Sequence, residues 1–177
     1  TKPKNPPKKI NRAVNPKSPS FPALYPKSEN QKIFLEEMQR SKLIVGAGPA
    51  GTGKTLLALW NAAKGLQEGT IKKIVLIRAY QPLAGRSIGF LPGELEDKLL
   101  PYYAQMLSYL EDFLTVPRVQ IWLKNKTIEI CSLETIRGRS WDYSTIIVDE
   151  GQNLYPEEIQ ALTTRIGEGS QMIILGD

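Results

Sequence analysis

The chain has 177 residues, of which 41% are hydrophobic and 23% are charged, and these values are typical of one globular domain. No apolar run is long enough for a membrane span, and no apolar stretch follows the early lysines, which argues against a secretory signal. With one cysteine and no histidine, an internal disulfide is impossible and a zinc site or histidine-based triad is nearly excluded. We therefore expect a cytoplasmic protein without a membrane partner.

The net charge of +5 is concentrated at the N-terminus. Residues 1–28 hold seven basic residues and no acidic one, which leaves sixteen basic and eighteen acidic residues, a net charge of −2, in the remainder. The same segment holds seven of the thirteen prolines, which remove amide donors and fix φ. We therefore expect a basic, proline-rich, disordered tail over residues 1–27. Two roles stay open for it: a solubilising extension, or an arm that contacts phosphates or a partner.

The rest of the chain alternates between helix and strand signals. Helices are predicted from Ser28 to about Arg40, from Lys54 to Gly69, from Glu94 to Phe113, where Pro101 should kink or divide the helix, and from Pro156 to near Gly167. Strand-like segments are Leu43–Ala47, Ile74–Ile77, Val119–Leu123, Thr127–Cys131, Thr145–Val148 and Gln171–Leu175, with a turn at Lys124–Lys126. This alternation predicts a three-layer α/β domain over residues 28–177 with a mainly parallel, five-stranded sheet.

A phosphate-binding motif lies between the first predicted strand and the second predicted helix. It matches G-x-x-x-x-G-K-[ST] and reads Gly48-Pro49-Ala50-Gly51-Thr52-Gly53-Lys54-Thr55. Glycines let successive amides turn toward phosphate oxygens, and the helix N-terminus adds partial positive charge. Lys54 would reach the β- and γ-phosphates, and the Thr55 hydroxyl suits a Mg²⁺ ligand. The motif therefore predicts a P-loop NTPase that binds ATP with Mg²⁺.

Two carboxylates follow the buried strand that ends near Val148. Asp149 and Glu150 would lie at the carboxyl edge of the sheet, where open α/β sheets bind ligands. Asp149 would hold Mg²⁺, and Glu150 would orient and deprotonate the attacking water. Gln152 completes a D-E-x-x pattern of the kind found in helicases. Two roles stay open for its side chain: coupling to the γ-phosphate state, or a solvated position in a loop.

The long loop over residues 79–93 is the remaining candidate for ligand contact. It holds four glycines or prolines (Gly85, Gly89, Pro92 and Gly93), and a loop of this length in a compact domain is usually functional or mobile. Arg86 could bind a phosphate and Phe90 could stack on a base. A phenylalanine in such a loop more often anchors it to the core.

Together these motifs resemble the PhoH family, ATPases related to the core of superfamily 1 helicases. The matching residues are Pro26-Lys27-Ser28-Glu29-Asn30-Gln31, Gly48 to Thr55, Gly89-Phe90-Leu91-Pro92-Gly93 with Lys98 and Pro101-Tyr102, Ile136-Arg137-Gly138-Arg139, Asp149-Glu150-Gly151-Gln152-Asn153, Leu162-Thr163-Thr164-Arg165-Ile166-Gly167, and Gly176-Asp177. The similarity spans roughly residues 24–177. The family usually has alanine at position 151, and residues 78–87 and the tail are atypical, as in a divergent, phage-encoded member.

The resemblance implies a RecA-like core that hydrolyses ATP, acts with RNA or single-stranded nucleic acid, and forms ring-like homo-oligomers such as hexamers. It assigns Gln31 to recognition of the nucleotide base, although this side chain could instead cap its own helix. Arg137, Arg139 and Arg165 are candidates for stabilising the γ-phosphate charge in trans, and Arg165 is preferred. Because a helicase sensor motif would continue beyond Gly176-Asp177, we expect a core that is truncated at its C-terminus.

Two other functions would use the same phosphate-binding loop. A P-loop kinase would transfer phosphate to a small acceptor, whereas the D-E-x-x pattern favours activated water. A non-hydrolysing switch would bind ATP to drive assembly without useful turnover. We therefore predict a Mg²⁺-dependent ATPase and keep these two functions as alternatives.

Overall fold

The structure, a computed structural model, describes residues 20–79 and 95–177, without the side chains of residues 95–98. The part of the predicted tail over residues 1–19 lies outside the described residues. The same holds for most of the long loop, including Arg86 and Phe90.

Helices and strands alternate along most of the described chain. In chain order they are α1 (Glu29–Arg40), β1 (Leu43–Ala47), α2 (Lys54–Glu68), β2 (Lys73–Arg78), α3 (Leu95–Phe113), α4 (Val116–Lys124), β3 (Ile128–Cys131), β4 (Ser144–Asp149), α5 (Pro156–Thr163) and β5 (Gln171–Gly176). A single 3₁₀ turn over Gly151–Asn153 separates β4 from α5. Within the described part of the chain, no helix is both long and apolar enough to cross a membrane.

The five strands form one parallel sheet in the order β1-β5-β4-β2-β3, which confirms the predicted α/β class. The strand interiors are apolar because helices and loops cover both faces of the sheet. Helices α1 to α4 contribute to the core on one face, and α5 with the segment between β3 and β4 contributes to the core on the other. Parallel pairing puts the carboxyl ends of all five strands at one edge, where ligands bind in such sheets.

The prediction of a strand over Val119–Leu123 is wrong, because these residues lie in helix α4. A half-buried strand would bury residues 119 and 121 on the same face, but Val119 is fully buried and Ile121 is 61% exposed. Val119, Trp122 and Leu123 pack on the core instead, with helical spacing. Pro117, in the first turn, also fits a helix start. Consequently the predicted turn near Lys124–Lys126 follows the end of a helix instead of joining two strands.

Two helices differ from prediction in their extent. Pro101 lies inside α3 without dividing it. The proline itself is exposed, while the buried side chains of Leu99 and Tyr103, before and after it in the sequence, anchor the helix to the core. Helix α5 ends at Thr163 instead of near Gly167. The chain leaves the helix there because Ile166 forms a parallel bridge with Trp141.

The packed part of the chain begins before the predicted boundary at residue 28. The Phe21 ring centroid lies 5.9 Å from that of Trp60 in α2 and 6.4 Å from that of Phe113 in α3. The Trp60 indole also donates to the Pro22 carbonyl at 2.9 Å. Prolines prevent regular secondary structure in residues 20–27, but they do not prevent these side chains from packing on the core.

A charged cluster on the edge strand β3 ties this side of the sheet together. The Glu129 side chain is only 10% exposed, and its carboxylate accepts from Lys73 at 2.8 Å and from Arg139. Burial alone would raise the pKa of Glu129, but the hydrogen bonds from Lys73 and Arg139 outweigh it and hold that pKa below its usual value. Burial also raises the pKa of the neighbouring Cys131 thiol to about 12, so this thiol stays protonated and unreactive at neutral pH.

We expect Glu129→Gln to lower the free energy of unfolding by about 1 to 3 kcal/mol at neutral pH, because two cations lose their buried acceptor. A carboxyl whose pKa is lowered on folding stabilises the folded state above its usual pKa, and this contribution is lost as the pH falls through the lowered value. The difference from wild type should therefore shrink in acid. Denaturant unfolding at several pH values measures it, with Glu37→Gln in the exposed Glu37–Arg40 pair as the control. If Glu129→Gln and Glu37→Gln lowered the free energy of unfolding equally, the stabilising role of the buried Glu129 carboxylate would be contradicted.

Candidate active site

The loop between β1 and α2 has the geometry that its sequence predicts. Its first amide, Gly48 N–H, donates to the Gly176 carbonyl at 3.2 Å, which fixes the loop to the end of β5. Gly51 and Gly53 have φ values of 78° and 85°, in the left-handed region that favours glycine. The Thr52 hydroxyl closes the loop by donating to the Pro49 carbonyl at 2.9 Å. The chain therefore wraps around the N-terminus of α2, where partial positive charge favours anions.

Lys54 is the first residue of α2, and its side chain turns back over this loop. Its ammonium group donates to the Gly48 carbonyl and to the Pro49 carbonyl at 3.0 Å. It also pairs with the Asp177 carboxylate, at 3.0 Å, beyond the end of β5. The lysine side chain is 16% exposed. Three oxygens thus surround the ammonium group, and phosphate oxygens could replace them.

Thr55 and Asp149 approach each other across the cleft. The Thr55 hydroxyl lies 3.4 Å from the Asp149 carboxylate, at the limit of a hydrogen bond. Burial raises the pKa of Asp149, while the nearby Arg78 guanidinium opposes that rise. Among the described residues no three His, Cys, Asp or Glu side chains gather into a metal site. One hydroxyl and one carboxylate nevertheless suit Mg²⁺, which usually keeps several waters and binds substrate phosphates.

Glu150 directly follows β4 and has an unusual backbone. Its φ of 58° and ψ of 38° lie in the left-handed region, which is uncommon for residues other than glycine. Both carboxylate oxygens have donors, since Arg78 Nη2 lies 3.0 Å from Oε1 and Gln152 Nε2 lies 2.7 Å from Oε2. The carboxylate is therefore held from two sides within the cleft. Strained backbone of this kind is often found at functional sites.

Gln152 connects Glu150 to the end of β5. Its amide nitrogen donates to Glu150, and its amide oxygen accepts from the Asp177 backbone N–H at 3.3 Å. Although the side chain is exposed, both ends of its amide have partners. The preceding Gly151 leaves no room for a side chain, because a Cβ there would lie 2.6 Å from Ile174 Cγ2. An alanine at this position would therefore require Ile174 to shift.

Arg78, the last residue of β2, is a site residue that was not predicted from the sequence. It pairs in register with Asp149 of β4, and its guanidinium contacts Glu150 and the Tyr102 carbonyl. Its position in the sequence could have indicated a role in the site, because a charged residue that ends a buried parallel strand lies at the same sheet edge as Asp149. The cleft, of about 230 Å³, is lined by residues of the loop and by Lys54, Thr55, Arg78, Asp149, Glu150, Gln152 and Asp177, among others.

Gln31 combines contacts to its own helix with a contact to the loop. Its backbone N–H donates to the Ser28 hydroxyl at 3.2 Å, as in an N-cap. Its side-chain oxygen accepts from the Lys27 backbone N–H at 2.6 Å, and its side-chain nitrogen donates to the Thr52 carbonyl at 3.0 Å. The side chain therefore links α1 to the phosphate-binding loop. Its assignment to base recognition stays a prediction.

The three candidate arginines lie outside this cleft. Arg165 donates to the carbonyls of Ala161 and Arg139, and its own carbonyl accepts from Trp141 N–H. Trp141 precedes β4, whereas Asp149 ends it, so Arg165 and the cleft lie at opposite ends of that strand. Arg139 pairs with Glu129, and its guanidinium lies 5.3 Å from the Trp141 ring. Arg137 lines a separate cavity of about 440 Å³. Any role of Arg165 in hydrolysis would thus require another protomer.

Comparison with known proteins agrees with the resemblance. Residues 23–177 match the family described as PhoH-like protein. The chain is 42% identical over 151 residues to the PhoH-like protein of Bacillus subtilis, covering 85% of this chain and 47% of that protein. It is 36% identical over 152 residues to the PhoH-like protein of Mycobacterium leprae, covering 86% of this chain and 43% of that protein. The chain spans about half the length of these relatives.

Among solved structures, the SWI2/SNF2 ATPase core of Sulfolobus solfataricus, determined in complex with double-stranded DNA, is similar in fold. The TM-score is 0.53 at 18% sequence identity, and the match covers 83% of this chain and 30% of that one. At this identity the likeness shows the fold alone. It confirms the predicted RecA-like class.

Proposed function

We propose that this chain, which belongs to the PhoH family, binds ATP with Mg²⁺ and hydrolyses it in concert with RNA or single-stranded nucleic acid. The observation that carries the proposal is the convergence of Lys54, Thr55, Asp149 and Glu150 on one cleft. These residues come from two segments of the chain that are about a hundred residues apart. Each offers the group that phosphoryl transfer to water requires at its position.

Binding of the triphosphate would rest on the loop and on Lys54. The loop amides and the N-terminus of α2 would receive phosphate oxygens. Lys54 would exchange the Asp177 carboxylate for phosphate, because its ammonium group already lies over the loop. This exchange would also release Asp177 at the end of β5. The lysine charge would then oppose the negative charge on the β- and γ-phosphates.

The metal would be held beside the loop by the Thr55 hydroxyl and the Asp149 carboxylate. Bound Mg²⁺ would neutralise charge on the phosphate oxygens. The pKa of Asp149 is raised because burial disfavours its charged form more than the nearby Arg78 guanidinium favours it. A bound cation would favour the charged form. Electrostatics of the cleft therefore favour a cation at this carboxylate.

Glu150 would act on the attacking water. Its carboxylate would accept a water proton as the oxygen attacks the γ-phosphorus, and ADP would leave. Arg78 and Gln152 hold this carboxylate in a fixed orientation, so little reorganisation would be needed at the moment of reaction.

We expect Glu150→Gln to reduce phosphate release at least about 100-fold, because glutamine cannot accept the water proton. ATP should still raise the melting temperature of this variant, whereas Lys54→Ala should lose both turnover and the thermal shift. Glu157→Gln, an exposed carboxylate on α5, is the control and should behave like the wild type. Phosphate release and thermal unfolding with Mg²⁺ and ATP measure these effects.

The same assay separates the two alternative functions. Transfer of phosphate to a small acceptor without free phosphate would support a kinase. ATP binding by the wild type without turnover would support an assembly switch. Either result would contradict the hydrolase.

A nucleic-acid partner is the second part of the proposal. It is supported by the helicase-related family and by the ATPase-core fold, because the structurally similar SWI2/SNF2 ATPase core was determined in complex with double-stranded DNA. Residues 29–177 carry a net charge of −2, so charge alone does not account for such binding. The basic residues over 1–19 are a separate candidate for phosphate contact.

We expect single-stranded RNA or DNA to raise the turnover number of the full chain. Deletion of residues 1–19 should weaken binding and its salt dependence but leave stimulation at saturating nucleic acid. Turnover measured over a range of nucleic-acid concentrations and salt tests both points. Equal turnover with and without nucleic acid would contradict the proposed coupling. If deletion of residues 1–19 abolished stimulation, the stimulating nucleic-acid contact would lie in those residues and not in the core.

A homo-oligomeric ring such as a hexamer, with Arg165 acting in trans, is the third part. What supports it is that Arg165 lies away from the cleft of its own chain, while an arginine supplied in trans accelerates such reactions by about 10³ to 10⁵. The same contacts to Ala161 and Arg139 would also serve a purely structural role.

Mixing two inactive variants separates these roles. Lys54→Ala and Arg165→Ala should each lose turnover, and a mixture should recover part of it because some interfaces combine an intact Lys54 with an intact Arg165. Turnover of the mixture, with size-exclusion chromatography in ATP, measures this. No recovery despite subunit exchange, or full wild-type turnover by a monomer, would exclude the trans arrangement.

A further inference from the structure

Arg78 connects the carboxylate of Glu150 to helix α3. Its Nη2 donates to Glu150 Oε1 at 3.0 Å, and its Nη1 donates to the Tyr102 carbonyl at 2.6 Å. Its Nε lies 3.8 Å from the Asp149 carboxylate. One planar guanidinium thus contacts both acidic residues at the end of β4 and the backbone of α3.

The backbone around Arg78 is held as firmly as its side chain. Its N–H donates to the Tyr103 hydroxyl at 2.8 Å, and that hydroxyl donates to the Cys131 carbonyl at 2.9 Å. Tyr103 is 1% exposed, so water does not compete for these bonds. The next residue, Ala79, donates from its N–H to the Asp149 carbonyl at 2.9 Å. Arg78 therefore reaches Glu150 from a fixed point on the backbone.

Glu150 needs such support more than an ordinary strand residue. Its backbone lies in the left-handed region just beyond β4, so the strand ladder does not set the direction of its side chain. Among the residues that the structure describes, the other side-chain donor to its carboxylate is Gln152, which is exposed. Without Arg78, these residues would hold the carboxylate from one side.

We propose that Arg78 is a positioning residue that holds Glu150 in its productive orientation and ties it to α3. This inference rests on the proposed function of Glu150 and names what orients it. Arginine is required because its fork supplies two donors at fixed angles, one for Glu150 and one for Tyr102. A lysine ammonium is a single point and cannot span both acceptors in this geometry.

A direct contact between Arg78 and the γ-phosphate is the competing role, since Arg78 lines the same cleft. The two roles predict different kinetics. A residue that acts through Glu150 lowers kcat and leaves KM for ATP nearly unchanged. A residue that binds phosphate raises KM as well, and it keeps its effect when Glu150 is altered.

The test is a double-mutant cycle of Arg78→Gln and Glu150→Asp in the full chain. The shortened carboxylate of Glu150→Asp should draw away from Arg78 while keeping a proton acceptor, so that residual turnover stays measurable. We expect Arg78→Gln to lower kcat by about 10- to 100-fold, as loss of an orienting partner usually does. Arg78→Lys should recover little of this loss. In the Glu150→Asp background, Arg78→Gln should cost almost nothing further.

The same four proteins are unfolded in urea without nucleotide, which tests the pairing independently of turnover. The midpoint shifts of the single variants should exceed, when added, the shift of the double variant. Arg40→Gln, which breaks the exposed pair with Glu37 on α1, is the control and should change neither kcat nor the coupling. Multiplicative rate losses, a raised KM for ATP, or additive midpoint shifts would each overturn the proposal. Absence of turnover in the wild type would instead contradict the proposed function, and the midpoint cycle alone would then decide the pairing.

Discussion

Parallel pairing of β1, β5, β4 and β2 is the constraint on which the cleft depends. Because all these strands point the same way, their last residues meet at one edge of the sheet. This edge gathers the loop after β1, Asp149 after β4 and Arg78 at the end of β2, although 94 residues separate Thr55 from Asp149. The apolar strand interiors hold the register, and a slip of one residue would turn their side chains to the opposite face.

Within that frame, the ends of three strands are joined by polar contacts. Lys54 pairs with Asp177 beyond β5, and Gln152 joins the Asp177 backbone to the Glu150 carboxylate. Arg78 then extends the chain of contacts from Glu150 to α3. In the proposed reaction, phosphate that takes the place of Asp177 on Lys54 would disturb one end of this network. Such contacts offer a physical route by which bound nucleotide could change neighbouring elements.

The parts of the site that consist of consecutive residues could be predicted from the sequence. The loop 48–55 and the pair Asp149-Glu150 each follow an apolar strand, so position and chemistry are visible in one local pattern. Arg78 was not predicted because its partners, Glu150 and Tyr102, are 72 and 24 residues away in the sequence. The residues next to Arg78 carry no pattern that indicates these contacts. Val119–Leu123 was misread because β-branched residues favour a strand locally, while packing against the core selects the helix. Packing of Phe21 was likewise invisible in a proline-rich stretch, since its partner Trp60 lies in another element.

In the proposed reaction, a water positioned by Glu150 attacks the γ-phosphorus of ATP bound in this cleft. Hydrolysis in water labelled with oxygen-18, followed by mass spectrometry of both products, tests it most directly. We expect the label to enter the released inorganic phosphate and not ADP, and we expect labelled phosphate to fall to background in Glu150→Gln. Label in ADP, or labelled phosphate released at the wild-type rate by Glu150→Gln, would contradict it.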